Sequence, residues 1–141
     1  NIRVSTEDFG VDESIASFVL PLGMTINMDG TAIMQVIATV FIAGCAGYTV
    51  TPGQLVVVAL LALLASVGTP AAPGAGAVIL FTILSGVGIV NDMALLAYSL
   101  ILAINRPIEM LVTSLNVVGD AVASICVAKS EGLLNEETFN K

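Results

Sequence analysis

Asn27-Met28-Asp29-Gly30-Thr31 stands between two apolar runs, one from about Val11 to Ile26 and one from Thr31 to Tyr48. Each run holds about 16 to 18 residues, slightly short of the roughly 20 that cross a bilayer as a helix. Asp12 and Glu13 open the first run, where acidic groups favour a helix N-terminus. Together the runs predict one long transmembrane helix over residues 13–48, broken mid-membrane by a polar interruption. Backbone unwound at that depth survives only where it is buried in protein or lines a wet cavity.

Composition sets the bilayer as the solvent. Of 141 residues 57% are hydrophobic and 11% charged, with a mean hydropathy of +1.01, whereas a soluble domain carries about 25% charged residues. Between Ser14 and Ala128 the only charges are Asp29, Asp92, Arg106, Glu109 and Asp120, too few to coat a soluble fold of this size. Most of the net charge of −7 sits in the flanks, in Glu7, Asp8, Asp12 and Glu13 and again in Glu131, Glu136 and Glu137. That distribution excludes a basic nucleic-acid surface. The chain has no histidine, which excludes imidazole catalysis and histidine metal ligation. Cys45 and Cys126 lie in separate apolar runs and read as small packing hydrophobes. The chain opens at Asn1 without an initiator Met or a signal-peptide pattern, and it reads as a fragment, either a cut chain or an incomplete gene product.

Along the chain, residues 1–12 read as a polar connector. Thr51-Pro52-Gly53 is a turn, with Pro52 suited to the first turn of a helix. Gln54 to Ser66 is aliphatic but too short to cross a bilayer, and Ala77 to Val90 mirrors it. Between them Val67 to Gly76 holds Pro70, Pro73 and three glycines, through which no helix continues. The pattern predicts a re-entrant helical hairpin over 53–90; the alternative is one long kinked span. Asn91-Asp92 caps a last long transmembrane helix over 92–129, kinked by Pro107 near its middle. Residues 130–141 form an acidic tail expected to fray. The fold class is therefore an all-α polytopic membrane protein. Only Arg3 and Lys129 flank the spans, so the distribution of cations leaves the orientation open.

The last helix carries a polar stripe. Glu109, Thr113, Asn116 and Asp120 are spaced by four, three and four, which places them on one helical face; Arg106 falls on the same face and Val112 at its margin. Ionisable groups inside a membrane are costly and point to function. Glu109 has a structural alternative, an internal ion pair with Arg106 three residues earlier. Asp120 has no cation within four residues, and a bound hard cation is the natural partner for it. Asp29 is in the same position beside Asn27, where a helix break frees backbone carbonyls of the kind that coordinate Na⁺ in transporters.

Pro21-Leu22-Gly23-Met24-Thr25-Ile26-Asn27-Met28-Asp29-Gly30-Thr31 resembles the seventh-helix signature of the dicarboxylate/amino acid:cation symporters, the glutamate transporter family. Ser66-Val67-Gly68-Thr69 through Pro73-Gly74-Ala75-Gly76-Ala77 resembles the tip of that family's second re-entrant hairpin, and Asn116-Val117-Val118-Gly119-Asp120 resembles its eighth-helix motif. The resemblance implies that residues 13–129 form the C-terminal part of a mobile transport domain, in a homotrimer held by a scaffold outside this chain. It implies one Na⁺ site from backbone oxygens of Gly23 and Asn27 with the side chains of Asn116 and Asp120. A second would use carbonyls of Thr25, Ser66, Val67 and Thr69, and a third would involve Asn27 and Asp29. H⁺ coupling stays open, because proton-coupled relatives keep the seventh-helix motif.

The resemblance places substrate against Met28, Thr31, Ala72, Gly76, Glu109, Val112, Thr113 and Asn116, with Arg106 as a further candidate. Two positions depart from the family's pattern. Glu109 stands where an aspartate usually meets the substrate amino group, and Val112 where an arginine usually meets a side-chain carboxylate. An acidic side chain without that partner carries a desolvation penalty of several kcal/mol. The expectation is Na⁺-coupled symport of a neutral amino acid, with glutamate, aspartate or another dicarboxylate as the alternative if Arg106 supplies the cation. The tip also departs, with Ala71-Ala72 where Gly-Val is common and with Pro70 as an extra stiffener. The expected location is the cell membrane, multi-pass (the inner membrane in a bacterium), with lipid and a small-molecule substrate as partners, and no organic cofactor or nucleic acid. An enzyme is not expected: Asp29 and Asp120 could be imagined as an intramembrane aspartyl pair, but no accompanying catalytic pattern supports it. A transport-incompetent structural fragment is the remaining rival.

Overall fold

The computed structural model describes residues 1–141. Eight helices follow one another: α1 (Ile2–Glu7), α2 (Glu13–Ile26), α3 (Asp29–Cys45), α4 (Pro52–Val67), α5 (Ala75–Gly86), α6 (Asp92–Ile104), α7 (Arg106–Ser130) and α8 (Glu136–Phe139). The fold is all-helical, with a single isolated β-bridge between Val11 and Leu134.

Local chemistry sets most boundaries. The Asp12 carboxylate accepts from the Ser14 N–H at 2.9 Å at the start of α2. Thr51 and Gln54 form a reciprocal capping box at the start of α4, with Pro52 in the first turn where its missing N–H costs nothing. The Asn91 carbonyl oxygen of the side chain accepts from the Ala94 N–H at 2.9 Å, while its amide donates to the Ala46 carbonyl at 3.1 Å. One side chain thus starts α6 and ties it to the end of α3.

α3 is the central element and packs against α4, α5, α6 and α7, while α2 packs along α7. Ile42 and Ala43 of α3 meet Leu80 and Leu84 of α5 and Ala94 and Ala97 of α6 in the largest core cluster. α4 and α5 fold back on each other through Val58, Ala62 and Ile83. The outward faces are apolar rather than charged: Phe18, Leu64, Met110 and Leu111 are all exposed by 70% or more. Such a surface suits lipid. Two stretches, Glu13–Cys45 counted across its interruption and Arg106–Ser130, are long and apolar enough to cross a bilayer.

Three stretches carry more detail than the sequence alone suggests. The last helix is not continuous from 92 to 129: α6 ends at Ile104 and α7 begins at Arg106. Pro107 has no N–H for the carbonyl of Ala103, so the ladder breaks there, and Asn105 stays right-handed (φ −68°, ψ −20°) between the two helices. The connector 1–12 contains α1, with Ser5 fully buried. The tail 130–141 contains α8 and is tied to the connector: Asp12 N–H donates to Leu133 O at 3.1 Å and Asn135 N–H to Gly10 O at 2.8 Å.

Candidate functional site

α2 ends at Ile26 and α3 begins at Asp29, leaving Asn27 (φ −104°, ψ 82°) and Met28 (φ −113°, ψ 48°) outside helical geometry. The first N–H groups of α3 therefore need acceptors, and Met28 at the N-cap has no oxygen to offer. Asn116 of α7 provides one across the interface. Its side-chain oxygen accepts from the Gly30 N–H at 2.7 Å, and its amide nitrogen donates to the Thr31 hydroxyl at 3.2 Å and to the Met28 sulfur at 3.3 Å. A helix start is thus capped by a side chain 86 residues away.

One turn further along α7, Asp120 is buried and accepts from the Asn27 side-chain amide at 2.8 Å. Glycines allow this close approach. A Cβ on Gly23 would run into the Asp120 carboxylate, one on Gly30 into the Val112 carbonyl, and one on Gly119 would sit 2.7 Å from the Asn27 amide. The Asp120 carboxylate therefore faces the Gly23 backbone with no side chain between them. A carboxylate and backbone carbonyls are donors of the kind hard cations take; here the Asn27 amide turns its nitrogen, not its oxygen, to Asp120. Asp29 is exposed and lies on the same side of Gly119 as Asn27: a Cβ on Gly119 would be 3.1 Å from its carboxylate.

The α4–α5 connection closes the opposite wall. Gly74, in the left-handed region at φ 86°, turns the chain into α5. Gly76 packs on Thr31 and Met34, where a Cβ would meet the Thr31 methyl at 2.9 Å. The fully buried Gln35 donates to the Gly76 carbonyl at 3.2 Å, and the Tyr98 hydroxyl of α6 donates to the Ala77 carbonyl at 3.2 Å. The result is a cavity of about 630 Å³, within the range of small-molecule sites.

Met28, Thr31, Ala72, Gly76, Arg106, Glu109, Val112, Thr113 and Asn116 all line this cavity. Of the expected cation residues, Asn27, Thr69, Asn116 and Asp120 also line it, and Gly23 is buried behind Asp120. Thr25, Asp29, Ser66 and Val67 do not line it. The hydroxyls of Thr25 and Ser66 are turned onto their own helices, donating to Leu22 O at 2.9 Å and Leu63 O at 2.8 Å. Arg106 pairs with Glu109 at 3.2 Å; Glu109 is 16% exposed and Arg106 67%, so the guanidinium remains open to the cavity. The sequence reading missed Met24, Met34 and Met110 as lining residues, and missed the Gln35 and Tyr98 anchors on α5. Gln35 had a readable signal as the lone amide in the run from Thr31 to Tyr48; the methionines were indistinguishable from core.

Residues 1–130 match the model of the sodium:dicarboxylate symporter family. The chain belongs to that family. Its apolar outer faces suit the membrane setting of that family. Among curated members, it is 44% identical over 119 residues to an excitatory amino acid transporter of Onchocerca volvulus and to another of Caenorhabditis elegans. Each alignment takes in 84% of this chain and 23% of the relative. Human excitatory amino acid transporter 2 is 43% identical over 119 residues, with 84% of this chain and 20% of the relative covered. The chain therefore spans about a fifth to a quarter of the length of these symporter-family relatives.

Proposed function

We propose that this chain forms the solute- and cation-binding part of a secondary active transporter that couples Na⁺ entry to symport of an amino acid. The observation that carries the proposal is the convergence on one cavity of the α2–α3 interruption, the α4–α5 tip, and Asn116 and Asp120 of α7. In this reading α2 and α3 are the halves of a broken transmembrane helix in a multi-pass protein. α4 and α5 are a re-entrant hairpin, and residues 68–76 are its gate.

The chemistry is binding and gating, with no covalent step. A cation at Gly23, Asn27, Asn116 and Asp120 would offset the Asp120 charge and stiffen the Asn27–Asp120 contact. A second, at the carbonyls of Thr25, Ser66, Val67 and Thr69, would hold the end of α4 against α2. Substrate entering beside Met28, Thr31 and Asn116 then allows the tip, with Ala72 and Gly76, to close. The closed domain moves as a body against a trimeric scaffold contributed by other parts of the protein. An open tip with ions but no substrate does not translocate, and that restriction couples the fluxes.

A neutral amino acid is the substrate this cavity suits, because its one cation, Arg106, already holds Glu109 and Val112 carries no charge. A second reading, glutamate or aspartate, is favoured by the exposed face of Arg106, whose remaining donors can take another carboxylate. The names of the relatives point the same way. Proteoliposomes of the full-length protein separate these readings. Uptake of alanine or serine driven by an imposed Na⁺ gradient is expected. Uptake that ignores Na⁺ and follows a pH gradient sinks Na⁺ coupling, and selective glutamate uptake abolished by Arg106→Ala establishes the second reading.

A further inference from the structure

The two ends of the chain meet at a point remote from the cavity. Gly132 (φ 69°) reverses the chain after α7, and Leu133 N–H caps back onto Ala128 O at 2.8 Å. Residues 133–135 then lie antiparallel to residues 10–12, with Asp12 N–H bonded to Leu133 O and Asn135 N–H to Gly10 O on either side of the Val11–Leu134 bridge. Gly10 is required by its own geometry: φ is 69°, and a Cβ would stand 2.6 Å from the Asn135 carbonyl. Leu134 packs on Val11, Ala16, Leu20 and Ala128.

These residues join the first turn of α2 to the last turn of α7. From that junction α2 runs to Gly23 and Asn27, while α7 runs back to Asp120 and Asn116. We propose that residues 10–12 and 133–135 clasp the two helices and set their axial register, making Gly10, Leu134 and Asn135 positioning residues for the Gly23–Asp120 contact. The tolerance is small. A slip of one residue along a helix is about 1.5 Å, enough to carry the 2.8 Å Asn27–Asp120 bond out of hydrogen-bond range. The consequence for Na⁺ rests on the function proposed above; the register does not.

Asn135→Pro tests it, because the Asn135 φ of −80° accepts proline while the donor to Gly10 O is removed. In full-length protein with every native cysteine replaced, Cys45→Ala and Cys126→Ala among them, spin labels on Phe18→Cys and Val122→Cys report the α2–α7 offset. A shifted or broadened distance distribution in Asn135→Pro is expected, and an unchanged one overturns the proposal. The Na⁺ concentration for half-maximal thermal stabilisation should rise roughly threefold to tenfold, the effect of one net hydrogen bond. A lower melting temperature with unchanged Na⁺ dependence would reduce the clasp to a general stabiliser and overturn the positioning role. The Val11–Leu134 pair is of the close, non-hydrogen-bonded kind, with Cα atoms about 4.5 Å apart, a span a disulfide fits. Oxidised Val11→Cys/Leu134→Cys in the Asn135→Pro background should restore the original Na⁺ dependence, and failure of the two cysteines to cross-link refutes the geometry. A parent protein that ignores Na⁺ overturns the proposed function, while the label distances still decide the clasp.

Discussion

Gly30→Ala and Gly44→Ala add the same methyl group to the same helix, and the structure gives them opposite signs. At Gly44 a Cβ meets nothing within 4 Å. Alanine there gains helix propensity, about 0.5–1 kcal/mol in favour of the folded chain. At Gly30 the Cβ runs into the Val112 carbonyl, which is backbone and cannot swing aside. α3 must back away from α7 by about 1 Å to regain van der Waals contact. That movement stretches the 2.7 Å bond from the Gly30 N–H to Asn116 beyond useful range and leaves a buried donor unpaired. The unpaired N–H costs about 1–3 kcal/mol and the overpacking about 1–3 kcal/mol. The propensity gain offsets up to about 1 kcal/mol, so the net loss is about 1–6 kcal/mol. Thermal unfolding of the purified full-length protein in detergent reads both variants, with Na⁺-driven uptake measured alongside. Gly30→Ala should unfold earlier and lose uptake, and Gly44→Ala should match or exceed the parent on both counts. A Gly30→Ala protein as stable as Gly44→Ala would refute the close packing of α3 on α7 and, with it, the capping role of Asn116.

Asn27→Leu removes the only hydrogen-bond donor on the Asp120 carboxylate and should abolish saturable Na⁺ stabilisation while leaving the helical circular dichroism intact. Thr51→Ala deletes the capping box of α4 and should cost about 1 kcal/mol, read as a lower melting temperature with unchanged Na⁺ dependence. Gly76→Ala presses a methyl on Thr31 and Met34 at 2.9 and 3.3 Å; Met34 can yield, while the β-branched Thr31 can move only by disturbing its contact with Asn116. It should raise the KM for substrate more than it lowers kcat, and a pure kcat effect would place the tip away from the ligand.

The bilayer environment, the helical class and the family were determined by the sequence alone. The five charges between Ser14 and Ala128 exclude a water-facing surface, and the motifs from Pro21 to Thr31 and from Asn116 to Asp120 are local strings read without coordinates. The α7 stripe was legible for the same reason: helical spacing alone puts Glu109, Thr113, Asn116 and Asp120 on one face, and all four line the cavity. The helix end at Ile104 was half legible, since Pro107 announced a kink but its spacing did not say whether the helix would bend or stop. Tertiary structure decided what each polar group meets. That Asn116 caps Gly30, that Gln35 and Tyr98 hold α5, and that the acidic tail locks onto Gly10 all depend on contacts between residues far apart in the chain. Periodicity reports which face a residue occupies and carries no information on which helix lies opposite. The glycines make the same point: the Pro21–Thr31 motif marks Gly23 and Gly30 without saying why, and only the Asp120 carboxylate and the Val112 carbonyl pressed against them, set beside the open space at Gly44, separate a required hydrogen from a dispensable one.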